Sequence, residues 1–273
     1  MDQDGLFECG AGGVEEVEET APSAEGVLLK GFFSTAEDLG MARERFRERV
    51  ALAWGEERIE DWDRSWRDRQ TPVEVTPSLM VMPPWVQAPA GAKHIIRLEA
   101  KMAFGTGSHE STRIAATLLE QVSVRGASVL DIGTGTGILA IYAAQLGAAE
   151  VVALDIDPVV GPCLNENLLL NPPPPDCRFR TLIGGTDALS PRAAFGIVIC
   201  NMIRTELWPF REELPGRLAP MGPRSPGGEG VFLVSGQRLE DKPFFLAWRE
   251  RAHFRIVAET EMDGWWGFAA ARA

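Results

Sequence analysis

The apolar residues of the chain form two patterns, short continuous runs and segments with helical spacing. In the second half of the sequence the two patterns alternate. Short apolar runs predict buried strands, and segments with apolar residues every three or four positions predict the helices that cover them. From about residue 111 the predicted elements are a helix over 111–122, a strand over Ser128–Ile132, a helix over Ile138–Gln145, a strand over Val151–Asp155 and a helix over Pro158–Leu170.

The same alternation continues towards the end of the chain. Further strands are predicted over Phe195–Cys200, Gly230–Ser235, Phe254–Glu261 and Trp265–Ala271, and further helices over Thr205–Arg217 and Leu239–Ala252. Strands that alternate with helices form a mainly parallel sheet covered on both faces. The last two strands have no helix between them, which predicts an antiparallel hairpin at the sheet edge. We therefore expect an α/β fold with a doubly wound sheet.

The first 90 residues have a different pattern. Short strand-like pieces surround glycines, and Ser34 and Thr35 signal the start of a helix that carries apolar residues as far as Ala53. A polar helix with Trp62 and Trp66 on one face is predicted next, followed by a proline-rich extended stretch with a strand over Leu79–Met82. We predict three parts, which are a small domain over 1–54, a linker over 55–90 and a large domain over 91–273.

Charge and hydropathy exclude several classes of protein. The chain carries 27 basic and 39 acidic side chains, a net charge of −12, which disfavours binding to a phosphate backbone. Ten acidic residues and one lysine fall within residues 1–40, so this region is either a solvated face or an attraction for a basic protein. No apolar run is long enough to span a membrane, and the N-terminus lacks an apolar signal region. We expect a soluble, cytoplasmic protein.

The cysteines and histidines give no sign of a metal site or a disulfide framework. Four cysteines and three histidines are scattered without a C-x-x-C pair. We therefore expect no metal ion and no disulfide bond.

A glycine-rich turn follows the strand Ser128–Ile132. Its sequence is D-I-G-T-G-T-G over Asp131–Gly137, and glycines there allow a ligand to approach the backbone closely. The third glycine comes one residue too early for the dinucleotide fingerprint G-x-G-x-x-G. The next strand ends at Asp155, whose carboxylate could accept hydrogen bonds from two ribose hydroxyls. Asp157 is the competing acid, although its place before Pro158 suits a helix cap better.

Two flanking segments make the pattern more specific. Upstream of the turn lies M-A-F-G-T-G-S-H-E-S-T-R over Met102–Arg113, and downstream a strand ends in V-I-C-N-M-I over Val198–Ile203. Together with the glycine turn and the segment L-D-I-D-P over Leu154–Pro158, they resemble the PrmA-type ribosomal protein methyltransferases. The likeness covers most of residues 55–273. It implies a Rossmann-like, seven-stranded class I methyltransferase domain that uses S-adenosyl-L-methionine to methylate amino groups on the eleventh protein of the large ribosomal subunit.

The resemblance also implies particular site residues. It places Phe104, Gly105 and Thr106 on a mobile segment over the cofactor. Further cofactor contacts are implied at Thr112, Asp131, Gly133, Gly135, Asp155 and Asn201. Asn201 is also the catalytic candidate, because its amide oxygen at a strand end could aim the amine lone pair at the methyl group.

The sequence departs from the family pattern at three places, one of which is an unusually proline-rich loop over Asn171–Pro175. The family begins with a small ferredoxin-like α+β domain that grips the substrate, and here that domain is expected to lack its opening strand. Gly196 stands where the family usually has aspartate. These departures leave open a methyltransferase with another protein or small-molecule substrate, or a non-catalytic binding module of the same fold. We expect a monomer that binds a ribosomal protein and neither nucleic acid nor membrane.

Overall fold

The structure is a computed structural model, which describes residues 6, 9–11, 13–17, 28–47, 51, 53–55, 71–98, 107–219 and 229–273. The chain divides into two compact units, residues 1–66 and residues 67–273. The described part of the linker predicted over 55–90 includes residues 71–90, which lie in the larger unit. The bounds proposed for the three domains stay a prediction.

The smaller unit contains an antiparallel strand pair and a helix. Strands β1 (Gly13–Val17) and β2 (Leu28–Phe32) pair in register, with Gly13 opposite Phe32. Helix α1 (Ala36–Phe46) begins at Thr35, whose hydroxyl oxygen accepts a hydrogen bond from the Asp38 amide at 3.1 Å. The sequence predicted this cap. The helix ends at Phe46, before the exposed Ala53 that the periodicity assigned to it.

A three-stranded sheet opens the larger unit. Its strands are β3 (Val73–Glu74), β4 (Leu79–Met82) and β5 (His94–Arg97), with β4 antiparallel to β3 and parallel to β5. Leu79, Val81 and Ile96 point into the same buried cluster as the helix that follows. The segment predicted as a linker therefore contributes strands and core residues to this unit.

The main sheet has seven strands and matches the predicted α/β fold. Its strands are β6 (Ser128–Ile132), β7 (Glu150–Asp155), β8 (Arg178–Ile183), β9 (Ile197–Asn201), β10 (Val231–Arg238), β11 (Phe254–Met262) and β12 (Trp265–Arg272). They lie in the order β11-β12-β10-β9-β6-β7-β8. The five strands β6 to β10 are parallel to one another, and β12 runs antiparallel to both β10 and β11. The predicted antiparallel hairpin at the edge is thus confirmed.

Helices cover both faces of the sheet. They are α2 (Glu110–Glu120), α3 (Ile138–Gln145), α4 (Val160–Leu170), α5 (Arg204–Leu207) and α6 (Lys242–Arg251). Strand β9 shows how the two cores form, since Ile197 and Ile199 face one cluster while Val198 and Cys200 face the other. A strand buried on both faces needs such a continuous apolar run.

One predicted helix differs from the structure, and one strand of the main sheet was not predicted. The helix expected over Thr205–Arg217 is one turn of α-helix followed by a 3₁₀ helix over Trp208–Arg217. Pro209 and Pro215 lie within it, and proline both lacks the amide donor and clashes with the preceding turn. Strand β8 was not predicted, because as an edge strand it is mostly polar and exposed.

A side chain at the end of α4 joins the small sheet to the rest of the unit. The Asn171 side chain is 7% exposed, and its oxygen accepts a hydrogen bond from the Arg97 amide at 2.7 Å. Its nitrogen donates to the carbonyl oxygens of Arg97 at 2.7 Å and Asn167 at 2.8 Å. The side chain thus pairs with β5 much as a neighbouring strand would.

We expect the substitution Asn171→Ala to lower the free energy of unfolding by about 2–3 kcal/mol, because the backbone amide and carbonyl of Arg97 lose their side-chain partner. Urea denaturation followed by circular dichroism measures the change. Asn165→Ala is the matched control, since Asn165 lies on the same helix with its side chain exposed. Equal stability of the two variants would contradict the role of Asn171.

Candidate functional site

A large cavity lies at the carboxyl ends of the parallel strands. Strand order reverses at β6, whose neighbours β7 and β9 lead to opposite halves of the sheet, and open α/β sheets bind ligands at such a point. The cavity has a volume of about 1340 Å³. Six of the residues that the sequence singled out line it, namely Thr112, Asp131, Gly133, Gly135, Asp155 and Asn201. Phe104, Gly105 and Thr106 lie outside the described residues.

The glycine-rich turn forms the floor of the cavity. The amides of Gly133 and Thr134 donate to the carbonyl oxygen of Leu154 at 2.8 and 3.1 Å, which binds the turn to the end of β7. Gly133 has a φ of +71°, and a Cβ atom added there would lie 2.8 Å from the Met202 methyl carbon. A larger residue at this position would therefore have a strained backbone, and the end of the Met202 side chain would have to move.

The two acids after β7 have different partners. One carboxylate oxygen of Asp155 accepts from the Gly135 amide at 2.9 Å, and the other accepts from the Asp157 amide at 3.0 Å. Asp157 accepts from the Val159 amide at 2.9 Å, directly before α4 begins. The N-cap of α4 is Val159, which has no side-chain cap, so Asp157 stabilises the turn before the helix and is not its cap as the sequence suggested. Asp155 lies beside the glycine turn.

Asp131 is buried beneath the turn. Its carboxylate is 1% exposed and accepts a hydrogen bond from the Thr134 hydroxyl at 2.7 Å. Burial raises the pKa of this carboxyl from 3.8 to about 6, against the lowering effects of the Thr134 hydroxyl and the Ala140 amide, while nearby Asp155 raises it further. Asp131 therefore braces the turn from inside.

Asn201 and Thr112 meet on the other side of the cavity. Thr112 is fully buried in the first turn of α2, and the Asn201 amide nitrogen lies 3.5 Å from its hydroxyl oxygen. The amide oxygen of Asn201 is buried and has no hydrogen-bond partner among the described residues. A buried acceptor without a partner costs free energy, which a bound donor would recover.

His109 lies at the start of α2 and also lines the cavity. Its Nδ1 atom accepts from the Ser111 amide at 3.1 Å, so the ring caps the helix. The ring also packs edge-on against Trp265, with 4.8 Å between the ring centroids. The ring therefore serves as a helix cap and packs against the wall of the cavity.

One wall of the cavity was missed at the sequence level. The segment Gly184–Asp187 follows β8 and lines the cavity, as do Phe210 and Glu213 from the 3₁₀ helix. The buried Arg217 holds this wall by donating to the carbonyl oxygens of Thr186 at 3.0 Å and Ser190 at 2.8 Å. The Gly184-Gly185 pair could have indicated a loop at this wall. The strand before it is mostly polar, so it was not recognised as a strand that ends at the cavity.

The charge of the lining is one-sided. Seven carboxylates belong to it, and none of the described lining residues is lysine or arginine. The acidic members are Asp131, Asp155, Asp157, Glu166, Asp187, Glu206 and Glu213. Such a lining favours cationic ligands and disfavours a pyrophosphate, which would meet carboxylates without a counter-charge.

Other kinds of site find little support in the described part of the chain. It contains no group of three or more histidine, cysteine or acidic side chains arranged to hold a metal ion. All four cysteines are free thiols. Among the helices that the structure describes, none has both the length and the apolar character that crossing a membrane requires.

We expect the Asp131→Asn variant to gain stability relative to the parent protein as the pH rises from 4 to 7. In the unfolded chain Asp131 ionises near 3.8, whereas the folded protein keeps its proton up to about 6. The folded parent therefore loses up to about 3 kcal/mol over this range that the neutral asparagine does not lose. Urea titrations at several pH values measure the difference, and a pH-independent difference would contradict the assignment.

Comparisons with known proteins agree with this geometry. A relative from Acetivibrio thermocellus, named ribosomal protein L11 methyltransferase, is 32% identical over 254 residues, which are 88% of this chain and 77% of that protein. A Synechococcus relative of the same name is 34% identical, with 92% of this chain and 80% of that protein covered. A third, from Symbiobacterium thermophilum, is 36% identical over 78% of this chain, and the match spans 65% of that relative's length.

A solved structure and a family model point the same way. The crystal structure of the ribosomal protein L11 methylase from Lactobacillus delbrueckii subsp. bulgaricus superposes with a TM-score of 0.62 at 27% identity, covering 74% of this chain and 98% of that one. The model of the family described as ribosomal protein L11 methyltransferase (PrmA) matches residues 7–273. The likeness expected from the sequence motifs is confirmed, and the chain belongs to the PrmA family of ribosomal protein L11 methyltransferases.

Proposed function

We propose that this chain transfers methyl groups from S-adenosyl-L-methionine to amino groups of ribosomal protein L11. The acceptors are lysine side chains, the N-terminal α-amine or both. The observation that carries the proposal is the convergence of the glycine turn, Asp155 and the unpartnered Asn201 amide oxygen on one acidic cavity. Membership of the PrmA family gives the substrate class.

The residues present fit the proposed cofactor. When bound, adenosylmethionine supplies an electrophilic methyl group on a positively charged sulfur. The bare backbone at Gly133 leaves room for a ligand, and the Asp155 carboxylate has lone pairs left for ribose hydroxyls after its two amide bonds. The carboxylate-rich lining attracts a cationic ligand and repels a phosphate.

The substrate amine has to arrive with a free lone pair. Deprotonating a lysine with a pKa of ~10.4 at pH 7 requires roughly 4.6 kcal/mol, and an α-amine with a pKa near ~8 requires about 1.4 kcal/mol. Partial dehydration in the cavity lowers the pKa of the amine and so reduces this requirement. The chain itself contributes aim, because the Asn201 amide oxygen can accept an N–H and so direct the lone pair towards the methyl group.

The N-terminal region supports a basic protein partner. Ten of its first 40 residues are acidic and one is lysine. Opposite charges accelerate encounter and favour the correct orientation. The segment Asn201-Met202-Ile203 also lacks the Pro-Pro-aromatic sequence that stacks a flipped base in nucleic-acid methyltransferases. Both features favour a protein amine in the cytoplasm over a nucleobase.

A methyl-transfer assay tests the function directly. Purified chain is incubated with tritiated adenosylmethionine and isolated L11, with a panel of small amines and an unrelated lysine-rich protein in parallel. We expect label on L11 and much less on the other acceptors. Label on the small amines alone would favour a different substrate, and no label on any acceptor would contradict the function.

We expect Asp155→Ala to weaken adenosylmethionine binding about 100-fold, because hydrogen bonds to a charged group contribute about 1.5–3 kcal/mol each. Isothermal calorimetry measures the dissociation constant. Asp157→Ala is the matched control, and its cofactor affinity should stay within about threefold, since its carboxylate stabilises the turn before α4. The reverse order of effects would assign the ribose to Asp157.

We expect Asn201→Ala to reduce kcat about 100-fold, because the amine loses the acceptor that aims it. Cofactor affinity should change much less, since the side chain adds little to a ligand held by the turn and Asp155. Single-turnover assays measure the rate of methyl transfer, and calorimetry measures the affinity for adenosylmethionine. A variant with the parent's kcat would remove Asn201 from the mechanism.

A further inference from the structure

Strand β10 carries a bulge next to Asn201. The pairing of β10 with β12 shifts register between Val234 and Gln237, and Gly236 within the bulge has a φ of +79°. A Cβ atom at Gly236 would lie 2.9 Å from the carbonyl oxygen of Met202, the residue after Asn201. The bulge thus lets the backbone of the β9 end approach β10 closely, and bulges commonly redirect a side chain beside an active site.

The redirected side chain is that of Gln237, which is fully buried. Its amide nitrogen donates to the carbonyl oxygen of Met202 at 2.5 Å and to that of Ser235 at 3.1 Å. Its amide oxygen has no partner within the part of the chain that the structure describes. A buried amide oxygen without a partner costs free energy. The two hydrogen bonds that the amide nitrogen donates offset part of that cost and hold the side chain in this orientation.

These bonds fix the peptide units on either side of Met202. The Met202 amide donates to the Ser235 carbonyl at 3.2 Å, and the Met202 carbonyl accepts from Gln237. Ser235 is also the residue that pairs with Asn201 across the two strands. The backbone directly after Asn201 is therefore hydrogen-bonded to β10 through both the amide and the carbonyl of Met202. These bonds fix the backbone from which the Asn201 side chain reaches the cavity.

We propose that Gln237 is a positioning residue for the methyl-transfer site, and this proposal rests on the function proposed above. By holding the Met202 carbonyl, Gln237 sets the direction of the Asn201 amide oxygen. It also gives that carbonyl a donor, so the substrate amine finds its unpartnered acceptor at Asn201 and not at the neighbouring backbone. Gln237 itself lies outside the residues that line the cavity.

The test replaces Gln237 with methionine, an unbranched side chain of similar length without the amide. Gln145→Met is the matched control, because Gln145 also donates to a backbone carbonyl, that of Ile95 at 2.9 Å, and also has a buried amide oxygen without a partner among the described residues. We expect Gln237→Met to lower kcat on L11 about 10- to 100-fold with cofactor affinity within about threefold. Gln145→Met should lower stability and leave kcat unchanged.

Two signals in the protein without cofactor test the positioning independently of activity. Met202-Ile203 is the one Met-Ile pair in the sequence, so carbonyl-labelled methionine with ¹⁵N-isoleucine gives a single resonance for the Met202 carbonyl. The chain has four asparagines, so ¹⁵N-asparagine gives four side-chain amide pairs. In Gln237→Met we expect the Met202 carbonyl and the Asn201 amide to shift while Asn165, Asn167 and Asn171 do not, and Gln145→Met should move neither.

The outcomes separate the two proposals. If the parent protein does not methylate L11, the proposed function fails, and the two resonances still decide whether Gln237 orients the Asn201 segment. If the parent is active and Gln237→Met keeps its kcat or leaves both resonances unmoved, the role of Gln237 is overturned. Should the methionine variant not fold cooperatively, Gln237→Leu is measured in the same way, with Gln145→Leu as its control.

Discussion

The reversal of strand order at β6 is the constraint from which the site follows. Chain segments leaving β6 and β9 turn towards opposite faces of the sheet, so a crevice opens where they part. Its central groups are placed by the end of a strand or the start of a helix. The glycine turn follows β6, Asp155 ends β7, Asn201 ends β9, and Thr112 lies in the first turn of α2. The positions of these groups are set by the sheet and not by flexible loops.

Two kinds of acceptor divide the chemistry of this crevice. Carboxylates surround it and favour cationic reactants, whereas the group proposed to direct the amine, Asn201, is a neutral amide. A carboxylate in that place would hold the substrate as its ammonium ion and oppose loss of the proton. An amide oxygen directs an N–H without that penalty. The carboxylates thus favour the binding of cationic reactants, and the neutral Asn201 amide adds no charge that would hold the substrate amine in its protonated form.

The sequence predicts the local parts of this structure well. Strand β6 and helix α3 were predicted to the residue, because a buried apolar run and a glycine turn determine them without help from distant segments. Strands β5 and β8 were missed, since one is four residues long and the other is a polar edge strand. The prolines that break the predicted helix after β9 were visible, but the apolar spacing around them favoured a continuous helix.

The features that the sequence did not predict depend on contacts between distant parts of the chain. The role of Gln237 depends on a register shift against β12 and on the approach of Met202, and neither is visible in a stretch of ten residues. The bulge also has a consequence for substitution. A side chain at position 236 is opposed twice, by the backbone conformation and by the carbonyl in front of it. An exchange at 236 would therefore disturb the backbone itself, whereas an exchange at 237 would remove only the two hydrogen bonds that its side chain donates.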